Sequence, residues 1–383
     1  METIFLDLYR ETLKLSGRFL PPWSQGLLGM LIPIGALAVF CPVTMMYLTW
    51  LERKLVARIQ DRLGPNRVGP YGLLQPIADG IKMLLKEDIT PTGADKLAHF
   101  WAPVIIVVPA IVIYAFLPFG QGMAAVNLNT GLLFFFALTS AETVAIFMAG
   151  WGSRNKFSLL GAMRAAAQIV SYEVPLLLSM VVVVMTVGSM SLVDIVEAQR
   201  GFHWFLFTPW GLAGFFIFFL SGVAEVNRTP FDIPEGESEI VAGFHTEYSG
   251  MKFALLYMAE FLSAFAIGGM AATLFLGGWD GPAFLPSWGW FIAKCYLMFF
   301  GMVWLRGTFP RFRVDQLLGF AWKFMLPIAL VNILAAGLWY FLPAWAAWPI
   351  DSLLLLGAWW GLSELNLHSL TPSSKMWYDN VSS

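Results

Sequence analysis

Carboxylates are concentrated between residues 224 and 261, in a polar stretch that separates two apolar segments. Within it, only Arg228 and Lys252 oppose their charge. The acids of the central part are Asp232, Glu235, Glu237, Glu239 and Glu247. A solvated loop would explain these five. Glu225 and Glu260, however, lie just inside the flanking apolar segments, where water does not solvate a carboxylate. In a membrane protein, acids in such places are typical of proton or cation chemistry.

Two more acids lie inside other apolar segments, Glu142 near the middle of one and Glu173 in the next. A charged side chain at mid-bilayer costs about 2.5–3.5 kcal/mol on insertion scales, so each needs a compensating partner or a function. A structural carboxylate that bonds to a neighbouring helix is one explanation. The other is a polar route from the acidic stretch into the membrane, formed by Glu142, Glu173, Glu225 and Glu260.

The composition is that of a membrane protein. Of the 383 residues, 58% are hydrophobic and 13% charged, against about 25% charged in soluble domains. A helix needs about 20 apolar residues to cross a bilayer. Eight windows of this kind lie at residues 27–50, 98–119, 131–151, 165–188, 210–226, 253–276, 288–306 and 323–342. A ninth apolar patch, 348–362, is shorter, and we favour a surface helix there over an extra span.

Lysine and arginine predict the orientation, because loops rich in them stay on the cytoplasmic side. The three loops 120–130, 189–209 and 277–287 contain only one such residue, Arg200. The basic residues concentrate instead in the alternate loops, 51–97, 152–164, 227–252 and 306–323. Nearly all of the unusual chemistry therefore shares the cytoplasmic face.

We predict an all-α polytopic membrane protein with eight transmembrane helices, or nine if 348–362 also spans, and additional amphipathic interfacial helices. Eight spans would place both termini on the periplasmic side. Residues 1–25 mix charged and apolar residues and are predicted to form an uncleaved N-terminal surface helix. Residues 26–342 are the predicted membrane domain, and 343–383 are a C-terminal extension.

Two cytoplasmic loops carry patterns that ordinary anchoring of a span does not explain. Residues 64–70, GPNRVGP, specify a fixed turn. Residues 72–87 have apolar side chains at helical spacing, which predicts an amphipathic helix in the membrane interface. Residues 306–316, RGTFPRFRVDQ, alternate Arg with Phe and can pair with carboxylates of the acidic stretch or of a partner.

The sequence indicates neither a bound redox cofactor nor a nucleotide-binding site on this chain. Cys41 and Cys295 lie far apart, and the four histidines show no ligand spacing, so the sequence predicts no metal site. Glycine patterns of the Walker or Rossmann kind are also missing from the sequence. If the protein takes part in redox chemistry, the electrons must come from another chain.

Three long motifs resemble one known family. They are LERKLVARIQDRLGPNRVGPYGLLQPIADGIKMLLKED, EVNRTPFDIPEGESEIVAGFHTEYSG and RGTFPRFRVDQLLGFAWK. Together they are similar to the quinone-site membrane subunit of proton-pumping NADH:quinone oxidoreductase, respiratory complex I. The resemblance covers roughly residues 27–342 in the expected order. It implies a helical subunit with a quinone portal formed by the first span, the amphipathic helix and the sixth span.

The resemblance also implies roles for individual residues. Glu52, Arg53 and Arg62 would line the quinone path. The loop beside the quinone chamber would contain Asp232, Glu235, Glu237, Glu239 and Glu247, and the proton-coupling route would continue through Glu142, Glu173, Glu225 and Glu260. The residues that hold the loops to one another and to the peripheral arm would be Arg228, Arg311, Arg313 and Asp315.

Quinone is the implied substrate, with ubiquinone the expected form, although the sequence does not distinguish it from menaquinone. Flavin and iron–sulfur clusters would be held by partner subunits of the complex, including peripheral-arm subunits and small membrane subunits. A bacterial inner membrane is favoured over the mitochondrial one. The alternatives are the equivalent subunit of an energy-converting hydrogenase or deazaflavin-linked complex, and a free-standing proton-coupled transporter. Transporters of that kind often contain internal repeats, and the acidic stretch is not clearly repeated here.

Overall fold

The computed structural model describes residues 4–16, 22–282 and 284–370, and this part of the chain consists of helices and loops without a strand. The long helices are α2 (Pro22–Ile59), α4 (Lys96–Val112, continued as a 3-10 turn to Ala115), α5 (Gly131–Gly152), α6 (Lys156–Val187), α8 (Pro209–Glu225), α10 (Gly250–Phe275), α11 (Ser287–Thr308), α13 (Leu326–Phe341) and α14 (Ala344–Leu370). The shorter ones are α1 (Ile4–Ser16), α3 (Gln75–Leu85), α7 (Leu192–Ala198), α9 (Glu237–Ile240) and α12 (Val314–Phe320). A π-helical turn joins α12 to α13. The prediction of an all-helical chain is confirmed.

Seven helices in the described part of the chain are long and apolar enough to cross a membrane. They are Leu27–Ile59, Lys96–Ala115, Gly131–Gly152, Lys156–Val187, Gly250–Phe275, Ser287–Thr308 and Val314–Phe341. Each coincides with a predicted window. The remaining window corresponds to α8, whose 17 residues extend only about 26 Å at 1.5 Å per residue, against a hydrocarbon core of about 30 Å. The total of eight spans therefore stays a prediction.

Several helices extend beyond the apolar windows that revealed them. Helix α2 continues to Ile59, so Glu52 and Arg53 lie on a helix and not in the predicted loop 51–97. Likewise, α6 begins at Lys156, inside the predicted loop 152–164. The reason is physical: hydropathy falls where charged residues begin, but Glu, Arg, Lys and Leu are good helix formers and continue the same helix into the polar region.

Helix α10 lies at the centre of the bundle. It packs against α2, α4, α8 and α11, and every residue from Phe261 to Phe275 is buried. Close approach depends partly on glycine. A Cβ atom on Gly268 would lie 3.3 Å from the backbone oxygen of Cys295 in α11. A central helix of this kind fixes the position of any polar residue that it carries, including Glu260.

The first and last described segments of the chain are also helices, α1 and α14. Helix α1 lies within the predicted N-terminal surface segment, and the Tyr9 hydroxyl donates a hydrogen bond to the backbone oxygen of Gly29, 3.3 Å away. Helix α14 has 27 residues and extends well beyond the apolar patch 348–362. It packs against α8 and α13. The predicted division of the chain into three regions stays a prediction.

Candidate functional site

Arg228 is the central cation of the site. It lies three residues after Glu225, the last residue of α8. Only 5% of the residue is exposed. Its Nη1 donates hydrogen bonds to both carboxylate oxygens of Glu52, each at 2.8 Å, and its Nε lies 2.9 Å from Oε1 of Glu260. The guanidinium also lies 4.0 Å from the centre of the Phe261 ring. One buried cation therefore links α2 to α10, and removing it would leave buried charges without compensation.

A cavity of about 420 Å³ lies beside this ion pair and is called here the α2 cavity. Glu52, Arg53 and Arg62, the residues implied to line a quinone path, all line it. Its other lining residues include Tyr257, Phe261 and Arg306. Arg306 also pairs with Glu52. The cavity is thus walled by α2, the turn that follows it, α10 and α11, and it combines aromatic faces with charged groups.

The amphipathic helix α3 lies next to this cavity. Arg53 donates a hydrogen bond to Oδ2 of Asp79 in α3 at 2.6 Å. The apolar face of α3 contains Ile77, Ile81 and Leu84, which are 48%, 53% and 67% exposed. This confirms an amphipathic helix with an uncovered apolar face at residues 75–85, which suits contact with the interface of a bilayer.

A second, much smaller cavity of about 20 Å³ lies deeper and is called here the carboxylate cavity. Its lining includes His245, Ser263 and four acids, which are Glu142, Glu225, Glu235 and Glu260. Ser263 donates a hydrogen bond to Oε1 of Glu142 at 2.5 Å. Nε2 of His245 lies 3.4 Å from Oε1 of Glu235. The fold therefore brings together acids from α5, α8, α10 and the loop between α8 and α10.

Glycines allow this loop to lie against the membrane helices. A Cβ atom on Gly161 of α6 would lie 2.6 Å from the Cα atom of Gly243 in the loop. Gly243 itself has a φ of +55°, and a Cβ there would lie 1.8 Å from the backbone oxygen of Pro234. Both contacts require glycine. They hold the adjacent His245 and the nearby Glu235 in the protein interior.

The environment changes the proton affinity of the loop residues. Burial, and then the negative charge of Glu235, raise the pKa of Asp232 to about 7. Burial also raises the pKa of Glu235, although Arg228 and Arg306 oppose this. Burial lowers the pKa of His245 to about 3, so its imidazole is neutral at pH 7. For Arg228, burial disfavours the charge, but Glu260 and Glu52 raise the pKa above its usual value. Asp232 can therefore change protonation near neutral pH.

Other predicted acids lie outside the carboxylate cavity. Glu239 is exposed and accepts a hydrogen bond from Arg164 at 2.6 Å, which lowers its pKa. Glu247 accepts a hydrogen bond from Asn155 at 2.6 Å, at the turn between α5 and α6. Glu173 lies in α6, within electrostatic range of Glu225, but does not line the cavity. The side chain of Glu237 lies outside the described part of the structure.

The predicted anchoring residues differ in what they contact. Arg311 lies 3.4 Å from Oε1 of Glu239, and the backbone amide of Phe312 donates to the oxygen of Pro230 at 3.1 Å. The loop between α11 and α12 therefore contacts the loop between α8 and α10, residues 226–249, which is called here the acidic loop. Arg313 and Asp315 are exposed at the start of α12, and among the described residues neither forms an ion pair. Their predicted contact with a partner stays a prediction.

Sequence reasoning misses some residues of these two cavities. His245 shows no ligand spacing with another histidine, and Ser263, Tyr257 and Phe261 look like ordinary residues of an apolar helix. Arg306 belongs to the Arg–Phe motif, but nothing in that motif relates it to Glu52. Only the folding of α10 and α11 against α2 and the acidic loop places these side chains beside the predicted ones.

Comparison with known proteins shows the family of this chain. The NADH dehydrogenase family matches residues 32–337. A protein from Dehalococcoides mccartyi strain CBDB1, named as the H-type subunit of NADH-quinone oxidoreductase, is 52% identical over 311 residues, covering 81% of this chain and 86% of the relative. A protein of the same name from Carboxydothermus hydrogenoformans is 47% identical over 353 residues, covering 91% of this chain and 99% of the relative. The chain therefore belongs to the NADH dehydrogenase family, as an H-type member of the oxidoreductase complex that those relatives are named for.

Proposed function

We propose that this chain forms the quinone access path and chamber wall of a proton-pumping NADH-quinone oxidoreductase and couples quinone reduction to proton translocation. One observation carries the proposal. The buried chain of ion pairs Glu52–Arg228–Glu260 joins the α2 cavity to the carboxylate cavity. A change of charge in the first cavity can therefore act on the acids of the second. The names of the relatives support the assignment to this complex.

The α2 cavity is the proposed place of quinone passage. Its volume of about 420 Å³ lies within the usual range of about 300–1,000 Å³ for small-molecule sites. Tyr257 and Phe261 offer aromatic faces to a quinone ring, and Arg53 and Arg62 offer hydrogen-bond donors to its carbonyl oxygens. The exposed apolar residues of α3 would guide the isoprenoid tail from the bilayer. Reduction to quinol consumes two electrons and two protons, and the electrons would come from flavin and iron–sulfur clusters in partner subunits.

Coupling is proposed to be electrostatic. Reduction of quinone to quinol, at a partner subunit that holds the terminal iron–sulfur cluster, takes up protons and changes the charge in the chamber, and this would change the field at Glu52 and at the guanidinium of Arg228. Because Arg228 also contacts Glu260, its response changes the proton affinity of the carboxylate cavity. Glu142, Glu225, Glu235 and Glu260 share that cavity and would titrate as a set. Their charge state would bias two arrangements of the acidic loop, and the pumping subunits would respond to that arrangement.

The same proposal includes the membrane arrangement. α8 would complete eight spans, both termini would be periplasmic, and the α2 cavity would open on the cytoplasmic side of a bacterial inner membrane. Peripheral-arm subunits would bind the surface formed by the acidic loop and the loop that contains Arg311, Arg313 and Asp315.

The variant Glu235→Gln tests the coupling role, since it removes the charge of a cavity acid and keeps its shape. The complex is isolated with its partners, and NADH:ubiquinone reduction and proton pumping in proteoliposomes are measured. We expect assembled complex in which both activities fall by about tenfold or more, which is a change of about 1.4 kcal/mol in the activation barrier. Glu197→Gln, at an exposed acid of α7, is the matched control and should keep both activities. Full coupled activity in assembled Glu235→Gln would contradict the proposal.

A further inference from the structure

Helix α3 is held by polar contacts and not by burial. None of its 11 residues, Gln75–Leu85, is buried in the described structure. In its first half, Asp79 accepts a hydrogen bond from Arg53 of α2 at 2.6 Å and one from Gln75 at 3.1 Å. A short helix gains most of its stability from the packing of its apolar face, and α3 turns that face outward. Its position therefore depends on these contacts and on those that follow its last residue.

Residues 86–90 follow α3 and contact the start of α10, and they are called here the clamp segment. Ser249 stands at the N-cap of α10, where a serine usually bonds to the backbone amides of its own helix. In the described structure its hydroxyl makes no such bond. It donates instead to the backbone oxygen of Glu87 at 3.1 Å and accepts from the backbone amide of Ile89 at 2.8 Å. The start of α10 therefore uses its capping group to bind the clamp segment.

Two further contacts lie beside Ser249. Nζ of Lys252 lies 2.9 Å from Oδ2 of Asp88 and donates to the hydroxyl of Thr90 at 3.3 Å. Gly250 has a φ of +56°, and a Cβ atom there would lie 3.0 Å from the backbone oxygen of Lys86, so glycine lets the two backbones approach. Asp88 is half exposed, and exposed ion pairs are weak. Several modest contacts together, and not one strong bond, therefore hold the clamp segment.

The clamp segment connects two parts of the proposed quinone path. On one side it continues α3, whose exposed Ile77, Ile81 and Leu84 would guide the isoprenoid tail. On the other side it binds the start of α10, and Tyr257 and Phe261 further along α10 line the α2 cavity. The clamp segment therefore fixes the surface for the tail relative to the cavity through which the ring would pass.

We infer that Ser249 and Lys252 are positioning residues that hold α3 in place for long-tailed quinones. The outward face of α3 binds a tail productively only while the helix is held, and an apparent dissociation constant rises as the competent fraction falls. Loss of the clamp should therefore raise KM and leave kcat unchanged, which is the pattern of a lost contact that ground state and transition state share. The inference rests on the proposed quinone path and adds the substrate class that the path favours, quinones whose tail reaches α3.

Quinone kinetics of the isolated complex in proteoliposomes test this inference. The double variant Ser249→Ala/Lys252→Ala should raise KM for ubiquinone-10 about fivefold or more, the scale of one or two exposed polar contacts, without a change in kcat. KM for decylubiquinone, a short-tailed analogue, should rise less. The control is Lys323→Ala, at an exposed lysine of the π-helical turn before α13, and it should match the wild type. An unchanged or lowered KM for ubiquinone-10, or an equal rise for both quinones, would overturn the inference.

A cross-link keeps the test valid if the double variant does not assemble. Asp88→Cys/Lys252→Cys removes the ion pair and offers two thiols that a short bismaleimide can bridge, while the native Cys41 and Cys295 are fully buried. KM for ubiquinone-10 should be raised before bridging and should return towards the wild-type value after it. A KM that stays raised in the bridged complex would overturn the positioning role, because the two segments are then joined.

The variant Tyr257→Leu separates this inference from the proposed function. It changes the α2 cavity and leaves the clamp contacts in place, so it should raise KM for both quinones. A raised KM in Tyr257→Leu with an unchanged KM in the clamp variant would overturn the clamp and keep the proposed path. An unchanged KM in both variants would count against the path itself.

Discussion

Arg228 contacts one acid of each cavity, Glu52 of the α2 cavity and Glu260 of the carboxylate cavity. Its Nη1 hydrogen bonds to Glu52 and its Nε contact with Glu260 use different edges of one planar group. Lysine carries the same charge but cannot reproduce this arrangement, because an ammonium is a compact group without a planar fork. The geometry of Arg228, and not only its charge, thus connects α2 with α10.

Arg228→Lys is expected to separate charge from geometry. The complex should assemble, because the buried acids keep a cation nearby, but NADH:ubiquinone reduction should fall by about tenfold since one of the two contacts is lost. The measurement is the reductase rate of the isolated complex normalised to its flavin content. Arg200→Lys, at an exposed arginine paired with Glu197, is the control and should retain the wild-type rate. An unchanged rate in Arg228→Lys would show that charge alone is sufficient.

Asp232 should make stability depend on pH in an unusual direction. Its pKa rises from 3.8 to about 7 in the folded protein, chiefly through burial, with Glu235 adding to the rise and Arg306, Arg311 and Arg228 opposing it. Between these two values the folded state binds the proton more tightly than the unfolded state. Its contribution to stability is therefore full below pH 3.8 and is lost as the pH rises through about 7.

Asp232→Asn should remove this dependence. The midpoint of thermal unfolding of the isolated complex is measured at pH 5.5 and pH 8, and the decrease towards pH 8 should be smaller in the variant than in the wild type. The exposed acid Asp7 provides the control Asp7→Asn, which should behave as the wild type. The same decrease in Asp232→Asn and wild type would show that Asp232 does not hold its proton in the folded state.

Sequence reasoning can identify charged residues but not their neighbours. The resemblance points to Glu52, Arg53 and Arg62, and the structure places all three at one cavity. By contrast, nothing in the spacing of His245 or Ser263 relates them to Glu142 or Glu235. Such contacts join residues as far apart in sequence as Glu142 and Ser263, and they depend on helix packing that hydropathy does not describe.

Among the secondary-structure elements, the predicted windows find the membrane helices because about 20 apolar residues form a strong signal. The polar ends of α2 and α6 are missed by these windows, because hydropathy measures transfer into lipid and not helix formation. This matters for the site, since Glu52 and Arg53 are rigidly held on α2. The backbone packs closely at the turn predicted for GPNRVGP. A Cβ on the nearby Gly72 would lie 2.2 Å from the backbone oxygen of Pro65, which is consistent with a fixed turn.

The contact between α6 and the acidic loop should be sensitive to a single methyl group. Gly161→Ala places a Cβ 2.6 Å from Gly243 Cα, which is backbone and cannot rotate away. The loop must shift, and overpacking of this kind costs about 1–3 kcal/mol. We expect faster proteolysis within residues 227–249 and a lower NADH:ubiquinone reductase rate. The control is Gly357→Ala in α14, because a Cβ there would have no neighbouring atom within 4 Å. Unchanged proteolysis in Gly161→Ala would mean that the loop is not held by this contact.

At the scale of the whole molecule, the arrangement joins a wide cavity to a narrow one within a single bundle. The α2 cavity is bounded by α2, α10 and α11, and the carboxylate cavity by α4, α5, α8, α10 and the acidic loop. Helix α10 is common to both and is buried along its second half. The proposed electrostatic coupling between the cavities would therefore need no large movement of helices, because Arg228 already contacts Glu52 and Glu260.

The proposed orientation and the number of spans can be tested together by labelling from one side of the membrane. The native Cys41 and Cys295 are fully buried, so cysteines introduced at exposed positions should provide the signal on this chain. Lys86→Cys should react with an impermeant maleimide only from the cytoplasmic side and Arg200→Cys only from the periplasmic side, because basic loops stay inside. The reverse pattern would contradict the orientation. Glu364→Cys, near the end of α14, then tests whether the number of spans is even. Eight spans place it on the periplasmic side, since an even number returns the chain to the side of its N-terminus. Labelling from the cytoplasm would contradict eight spans and would mean either that α14 is a ninth span or that α8 does not cross.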